Sequence, residues 1–284
     1  MKYLIIEPLG GLANRMRAIE SAVNYANSHE RKLMIVWEKN AFLNADFFDC
    51  FRPVNGAKVI QLDYLGVGII SKVKRRILNV VKWMIKLVYR ARYIPDAEIE
   101  VLLKDHEYDL GNVGGLMDAI ADNSNGIYIK SCYEFYPNLT GFLVEIDYKA
   151  QQLGNQILNS HRCDIGIHIR RTDHTEAINN SPIDLFKTKI SEKLTSHPHY
   201  KFYLSTDSSE VVDYLERHFS SHIITGISNR DRHSEEGIRS ALIDLHCLGK
   251  CVEIWGSDQS SFSDRAARIN GSKLEILSLK NISA

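Results

Sequence analysis

The sequence lacks the long apolar runs of a membrane-spanning protein and the net charge of a nucleic-acid-binding protein. No stretch of its 284 residues approaches the roughly 20 uninterrupted apolar residues of a membrane span. Lys and Arg together number 35, as do Asp and Glu, so the formal net charge is zero and gives no support to nucleic acid as a partner. With 44% hydrophobic and 25% charged residues, the chain is typical of a globular protein with a packed core.

Cysteine is also scarce, and the five cysteines show neither the paired spacing of a zinc site nor that of a disulfide framework. We therefore expect them to be reduced. The first apolar run, Leu4 to Ile6, is interrupted by Glu7 and is too short for a signal peptide, so it predicts a strand instead. Together these features predict a cytoplasmic protein, and a peripheral position on the inner face of the membrane stays open because of a basic segment described below.

Alternating apolar strands and amphipathic helices predict an α/β fold with two Rossmann-like lobes that face each other across a cleft. A strand at 3–6, a helix at 14–27 and a strand at 32–37 form a βαβ opening. The predicted division lies near residue 160, with lobes at 1–160 and 161–284. In the second lobe we predict strands at 165–170, 201–205, 222–224 and 251–254, and helices at 182–195, 208–219, 236–248 and 261–270.

A glycine turn joins the first strand to the first helix. Gly10 and Gly11 form this turn, and Asn14 and Arg15 follow at the start of the helix. Such a turn lets a ligand approach the backbone at the helix amino terminus, which favours binding of a phosphate. The alternative is an ordinary strand-to-helix turn, since the third glycine of the dinucleotide fingerprint is missing.

The segment 69–94 is basic and apolar without a single acid. Eight cations are interleaved with apolar residues, and every charge between Asp63 and Asp96 is positive. The pattern predicts a helix with an apolar stripe bordered by basic residues. Such a helix could lie on an anionic membrane, and the alternative is a core-packed helix with a solvated basic face.

The residues from Ile165 onward place charged groups at the end of an apolar strand. His168 and Arg170 share one face of this strand, and Arg171 turns away at its end. Arginine stays charged and matches the geometry of phosphate oxygens, so Arg170 could hold a pyrophosphate. Alternatively, both arginines pair with the local carboxylates Asp173 and Glu176.

Three further polar clusters follow apolar segments of the second lobe. Thr206 and Asp207 end a strand, where they could cap the next helix or meet a ligand. Asp244 lies in an apolar helix and could accept two N–H groups from guanine or anchor an arginine. Ser260 and Ser261 precede the last predicted helix, where hydroxyl and backbone N–H groups suit a phosphate. No Asp-x-Asp pair occurs, so the sequence does not require a metal.

With these motifs identified, the chain resembles the fucosyltransferase superfamily that includes the α1,2-, α1,6- and protein O-fucosyltransferases. The resemblance covers the glycine loop from Gly10 to Arg15, the first donor motif from His168 to Asp173, the second motif from Tyr203 to Asp207, and a third from Ile238 to Leu248 with Ser260 and Ser261. It implies a GT-B arrangement, a GDP-fucose donor bound by the carboxyl lobe, and acceptor recognition by the amino lobe. It also implies inversion at the anomeric carbon without a metal or other cofactor.

The resemblance also implies roles for single residues. Arg170 would hold the β-phosphate, His168 and Asp244 would contact the guanosine end, and Ser261 would hydrogen-bond phosphate. Glu176 resembles the proposed base of the α1,6 branch.

The expected activity is transfer of fucose from GDP-fucose to a hydroxyl group of a glycan or lipid-linked oligosaccharide. Glu176 or Asp173 would take the acceptor proton, and Arg170 would stabilise the leaving diphosphate. Two alternatives stay open: a glycosyltransferase of the same fold that uses another nucleotide sugar, and a non-catalytic protein that binds a nucleotide or glycan.

Overall fold

The chain folds into two compact α/β units, Met1–Glu145 and Ile146–Ala284. Each contains a five-stranded parallel sheet flanked by helices, which confirms the predicted pair of Rossmann-like folds. The computed structural model describes residues 1–66, 68–122, 124–160, 163–172, 175–226, 229–231 and 233–281.

The first unit is built on a sheet with the strand order β3-β2-β1-β5-β4. The buried strands β1, β2 and β5 lie at its centre because their apolar runs can be covered on both faces. The elements are β1 (Tyr3–Pro8), α1 (Leu12–Ser28), β2 (Lys32–Lys39), α2 (Phe47–Cys50), β3 (Lys58–Asp63), α3 (Gly68–Val88), β4 (Ala91–Ile94), α4 (Asp96–Asp105), α5 (Leu110–Asp122) and β5 (Gly126–Ser131).

The second unit has the strand order β10-β9-β6-β7-β8. Its elements are α6 (Tyr148–Ser160), β6 (Ile165–Ile169), α7 (Thr175–Asn180), α8 (Ile183–Ser196), β7 (Phe202–Thr206), α9 (Ser209–Phe219), β8 (Ile223–Thr225), α10 (Glu235–Leu248), β9 (Glu253–Ser257), α11 (Ser261–Asn270), β10 (Lys273–Leu277) and a 3-10 helix (Leu279–Asn281). Side chains of β6, β7, α8 and α9 form a continuous apolar core.

The boundary between the compact units precedes α6, whereas the sequence suggested a division after that segment. The reason is packing against α10. The Oδ1 of Asn155 accepts a hydrogen bond from Nε2 of His246 at 2.8 Å, and the Sγ of Cys247 lies 3.6 Å from the carbonyl oxygen of Gly154. Helix α6 therefore belongs structurally to the second unit.

The basic segment forms a helix only as far as Val88. Residues Ala91–Ile94 form β4, a strand paired in parallel with β5, where we had predicted continuous helix to residue 94. Leu78, Val81 and Ile85 on one side of α3 pack against the sheet. No helix in the described ranges is long and apolar enough to cross a membrane.

Candidate functional site

Three adjacent strands of the second sheet end side by side and deliver most of the predicted polar residues to one edge. His168 on β6 is in register with Ser205 on β7 and Gly256 on β9. The carboxyl ends of parallel strands at such an edge are where open α/β sheets bind their ligands. The motifs predicted separately from the sequence are therefore brought together.

The backbone after β6 is held in place by its neighbouring strands. The Arg170 N–H donates to the Oγ of Ser257 at 3.1 Å, and Ser257 is fully buried at the end of β9. This bond fixes Arg170 at the carboxyl end of the sheet, with its side chain partly exposed. Asp173, the other predicted acid of this loop, lies outside the described residues.

Asp207 organises the same loop from the end of β7. Its carboxylate accepts the N–H of Arg171 at 2.7 Å, and the N–H and hydroxyl of Thr172 at 3.1 and 2.6 Å. Thr206 is buried, and its hydroxyl accepts the Ser208 N–H at 3.3 Å, while Ser208 occupies the N-cap position of α9. Asp207 therefore shapes the loop that carries Arg170. It does not cap α9, and its contact with a ligand stays a prediction.

Arg171 does not direct its charge toward the sheet edge. Its two terminal nitrogens donate to the carbonyl oxygens of Ile178 at 3.2 Å and Ser181 at 2.7 Å. Burial lowers the pKa of this guanidinium, and the carboxylate of Asp207 opposes that shift. We had expected Arg171 to bind the donor, and the structure instead uses it to hold α7 and the turn after it.

His168 is linked to the start of α11. Its Nδ1 lies 3.0 Å from the Oγ of Ser260, the N-cap residue of that helix, and its ring stacks on Phe262 with centroids 4.8 Å apart. Burial, with the nearby charge of Arg170, lowers the pKa of His168 to about 4, so the ring is neutral at physiological pH. His168 thus fixes the helix end, and within the described residues its Nε2 has no hydrogen-bond partner.

Ser260 and Ser261 differ in their availability to a ligand. The Ser260 hydroxyl is buried and accepts the Ser263 N–H at 3.4 Å, so it caps the helix. Ser261 is partly exposed in the first turn of α11. Because the first N–H groups of a helix carry partial positive charge, this turn is suited to an anion.

Asp244 on α10 is a partly exposed residue whose carboxylate is already oriented by two hydroxyl groups. The Tyr203 OH donates to Oδ1 at 2.6 Å, and the Ser205 hydroxyl donates to Oδ2 at 2.9 Å. Burial raises the pKa of Asp244 to about 6, and these two hydrogen bonds together with the positive charge of Arg230 limit the rise. Each oxygen retains capacity to accept a further hydrogen bond.

Gly226, just after β8, allows the backbone to pass close to this carboxylate. A Cβ at this position would lie 2.4 Å from Asp244 Oδ1 and 2.4 Å from the Tyr203 hydroxyl, which no side chain tolerates. Gly226 was not predicted as part of the site, and Tyr203 was placed in the second motif without a role of its own. Their proximity to Asp244 depends on how β7, the end of β8 and α10 pack together, and no local pattern predicts it.

Glu176 lies exposed on the short helix α7 and is held by a residue from the loop after β9. The side-chain amide of Gln259 donates to its Oε2 at 2.8 Å. Gln259 has a backbone φ of 53°, in the left-handed region. Nearby, Asp258 accepts hydrogen bonds from Asn180 and Lys280. Gln259 was not predicted as part of the site, although its hydrogen bond links Glu176, the predicted base, to the loop after β9.

Hydrogen bonds from Arg15 hold the glycine turn of the first unit in place. Gly10 has a φ of 77°, which favours glycine. The Arg15 guanidinium donates to the carbonyl oxygens of Gly10 at 2.9 Å and Glu38 at 2.6 Å, and stacks 4.6 Å from the Trp37 ring. Arg15 has no exposed surface. We had expected it to bind the donor, and in the structure its guanidinium instead supports the backbone of the turn. Gly11 and Asn14 remain partly exposed.

Among the described residues, no group of three or more His, Cys, Asp or Glu side chains is arranged to hold a metal ion.

No protein-family model matches this chain, and no curated protein matches it in sequence. Solved structures do match. NodZ α-1,6-fucosyltransferase soaked with GDP-fucose is 19% identical, with a TM-score of 0.60 over 95% of this chain and 93% of that chain. A mutant of Arabidopsis thaliana FUT1 in complex with GDP is 16% identical, with a TM-score of 0.60 over 97% of this chain and 70% of the other. POFUT1 in complex with GDP-fucose is 10% identical, with a TM-score of 0.56 over 97% and 98% of the two chains. The chain therefore has a fucosyltransferase-like fold.

Proposed function

We propose that this protein is an inverting fucosyltransferase that transfers fucose from GDP-fucose to a hydroxyl group of a glycan or lipid-linked oligosaccharide. The observation that carries the proposal is the Asp244 carboxylate at the carboxyl edge of the second sheet, oriented by Tyr203 and Ser205. A carboxylate with one free acceptor position on each oxygen matches the two adjacent N–H donors on the edge of guanine. The shared fold with proteins crystallised with GDP or GDP-fucose supports this choice of nucleotide.

The diphosphate of the donor would lie between β6 and α11. Arg170 would bind the β-phosphate, and the first N–H groups of α11 with the Ser261 hydroxyl would bind its other oxygens. His168 is neutral and adds no positive charge, so its contribution would be a hydrogen bond from Nε2 and the placement of α11. We propose that Arg170 and these helix N–H groups neutralise the leaving group without a metal.

In the proposed reaction, the acceptor oxygen attacks the anomeric carbon of fucose from the face opposite the diphosphate. The bond from that carbon to the β-phosphate oxygen breaks, the electron pair leaves with GDP, and the configuration inverts. Glu176 takes the proton of the acceptor hydroxyl, since its carboxylate is exposed and held by Gln259. Arg170 stabilises the charge that develops on the diphosphate.

Gly10, Gly11 and Asn14 are proposed to contribute backbone and amide groups to substrate binding from the first unit. This unit would also recognise the acceptor. The five cysteines form no disulfide within the described part of the chain, as is usual for proteins of a reducing compartment, and we propose a cytoplasmic location.

Isothermal titration with GDP, UDP and dTDP, followed by assays with GDP-fucose, tests the proposal. We expect GDP to bind more tightly than UDP or dTDP. We also expect slow hydrolysis of GDP-fucose without acceptor, which Glu176→Gln should reduce while leaving GDP affinity unchanged. Preference for another nucleotide would favour a different sugar donor, and GDP binding without hydrolysis or transfer would favour a non-catalytic protein.

A further inference from the structure

Helix α3 carries a continuous apolar stripe that the first unit leaves exposed to solvent. Its members are spaced three or four residues apart and therefore lie on one side of the helix. They are Ile69, Val73, Ile77, Val80, Met84, Leu87 and Val88. Packing against the sheet uses a different side of α3, through Leu78, Val81 and Ile85. The stripe is thus not a core face.

A shallow apolar cavity lies along this stripe. It has a volume of about 430 Å³ and is lined by Ile69, Val73, Ile77 and Leu78 with the stem of Lys74. Soluble proteins rarely expose contiguous apolar patches of this kind unless the patch binds a partner.

The cations of α3 divide into two groups with different roles. Lys74 pairs with Asp63 at 2.6 Å, and Lys82 pairs with the buried Glu7 and with Glu38, so these two bind α3 to the sheet. Lys86 lies 3.8 Å from the centre of the Tyr93 ring. These three side chains are committed to the fold.

The second group of cations borders the exposed stripe. Lys72, Arg75 and Arg76 are exposed, and no acid in the described part of the chain forms an ion pair with any of them. Arg90, just after the helix, is exposed as well, whereas Arg92 lies 3.9 Å from the carboxylate of Glu98. Because no acid occurs between Asp63 and Asp96, the whole surface is complementary to negative charge.

We propose that α3 docks the protein on an anionic phospholipid bilayer. The apolar stripe would enter the boundary between headgroups and acyl chains, and Lys72, Arg75 and Arg76 would contact the headgroups. Trp83, which is 61% exposed beside the stripe, has the amphipathic ring that favours this interface. A second copy of the chain is a poorer occupant, because it would bring an equally acid-free helix against the same cations.

Tryptophan fluorescence gives a direct test, because the chain has three tryptophans and two of them are buried. Trp37 and Trp255 are 0% and 1% exposed, so a change on adding vesicles reports on Trp83. With phosphatidylcholine vesicles that contain phosphatidylglycerol, we expect a blue shift of the emission at low salt that reverses at high salt. Trp83→Phe should still sediment with these vesicles but lose the shift. The measurement needs no nucleotide, so its outcome is independent of the proposed activity.

Charge-matched variants test the electrostatic part. Each cation near an anionic surface strengthens binding about fivefold, so Lys72→Gln with Arg76→Gln should weaken vesicle partitioning about 30-fold. The control is Lys149→Gln with Lys250→Gln, two exposed cations of the second unit. Equal losses in both double variants would overturn the proposal.

An apolar pair tests insertion in the same way. Leu87→Ser with Val88→Ser removes side chains that are 59% and 69% exposed, and Leu139→Ser with Val252→Ser removes side chains that are 66% and 78% exposed elsewhere. Only the first pair should reduce partitioning, by about tenfold or more. Absence of vesicle binding by the unaltered protein, or a concentration-dependent dimer that the first pair abolishes, would refute membrane docking.

Discussion

The pH dependence of GDP binding tests whether Asp244 is the guanine acceptor. Burial raises the pKa of this carboxyl group to about 6, against the hydrogen bonds from Tyr203 and Ser205 that favour its ionised form. As the pH falls through 6, Asp244 gains a proton and can no longer accept two N–H groups from guanine. We therefore expect GDP affinity to be constant well above pH 6 and to decrease below it.

The variant Tyr203→Phe changes this profile in a direction that the structure specifies. It removes the hydroxyl that donates to Asp244 at 2.6 Å, and a hydrogen bond to a charged group contributes about 1.5–3 kcal/mol. Since about 1.4 kcal/mol corresponds to one pKa unit, the pKa of Asp244 should rise by about one to two units. GDP affinity at neutral pH should fall, and alkaline pH should restore it.

Isothermal titration of GDP across a pH series measures this shift. Tyr214→Phe is the matched control, because the Tyr214 hydroxyl also donates to a carboxylate of the second unit, that of Asp184, at 3.0 Å. The control should leave the midpoint near pH 6. An unshifted midpoint in Tyr203→Phe, or an unaltered profile in Asp244→Asn, would contradict the assignment of Asp244.

Three further variants test other parts of the site. Arg170→Ala should lower turnover of GDP-fucose by about 100- to 1,000-fold, and Arg170→Lys should restore little of it, because lysine lacks the planar pair of donors; steady-state kinetics measures both. Gly226→Ala should reduce GDP affinity by displacing Asp244, whereas Gly115→Ala, where an added Cβ meets nothing within 4 Å, should bind GDP normally in the same titration. Ser260→Ala should lower the free energy of unfolding by about 1 kcal/mol through loss of the helix cap, and unchanged urea denaturation would contradict this.

The central elements of both sheets could be predicted because burial on two faces leaves an apolar run in the sequence. Apart from β8, the edge strands carry no such run. β3 and β4 have mostly exposed or half-buried residues, and α5 contains Gly111, Gly114 and Gly115, which weaken its helical pattern. The predicted basic helix was too long at its carboxyl end. Ala91–Ile94 has the same basic and apolar composition as the helix, but it forms the edge strand β4.

The positions of the site residues could be predicted more reliably than their roles. Parallel strands bring their carboxyl ends to one edge, so polar residues after each strand were expected to meet there. Contacts between distant segments decide what each residue does. Tyr203 and Asp244 are 41 residues apart, and Glu176 and Gln259 are 83 apart, so neither hydrogen bond leaves a local pattern in the sequence.

Contacts of this kind make two of the three motif arginines part of the scaffold of their own units. Arg15 and Arg171 both donate to backbone carbonyl oxygens of their own units, and burial lowers the pKa of both. A guanidinium that satisfies buried carbonyl groups cannot turn to a phosphate without leaving those acceptors unpaired, at about 1–3 kcal/mol each. The backbone N–H of Arg170 donates to Ser257, and this bond fixes the position of Arg170 at the end of β6. In the proposed reaction, Arg170 and the first turn of α11 neutralise the leaving diphosphate, and weakening either should lower turnover more than it lowers GDP affinity.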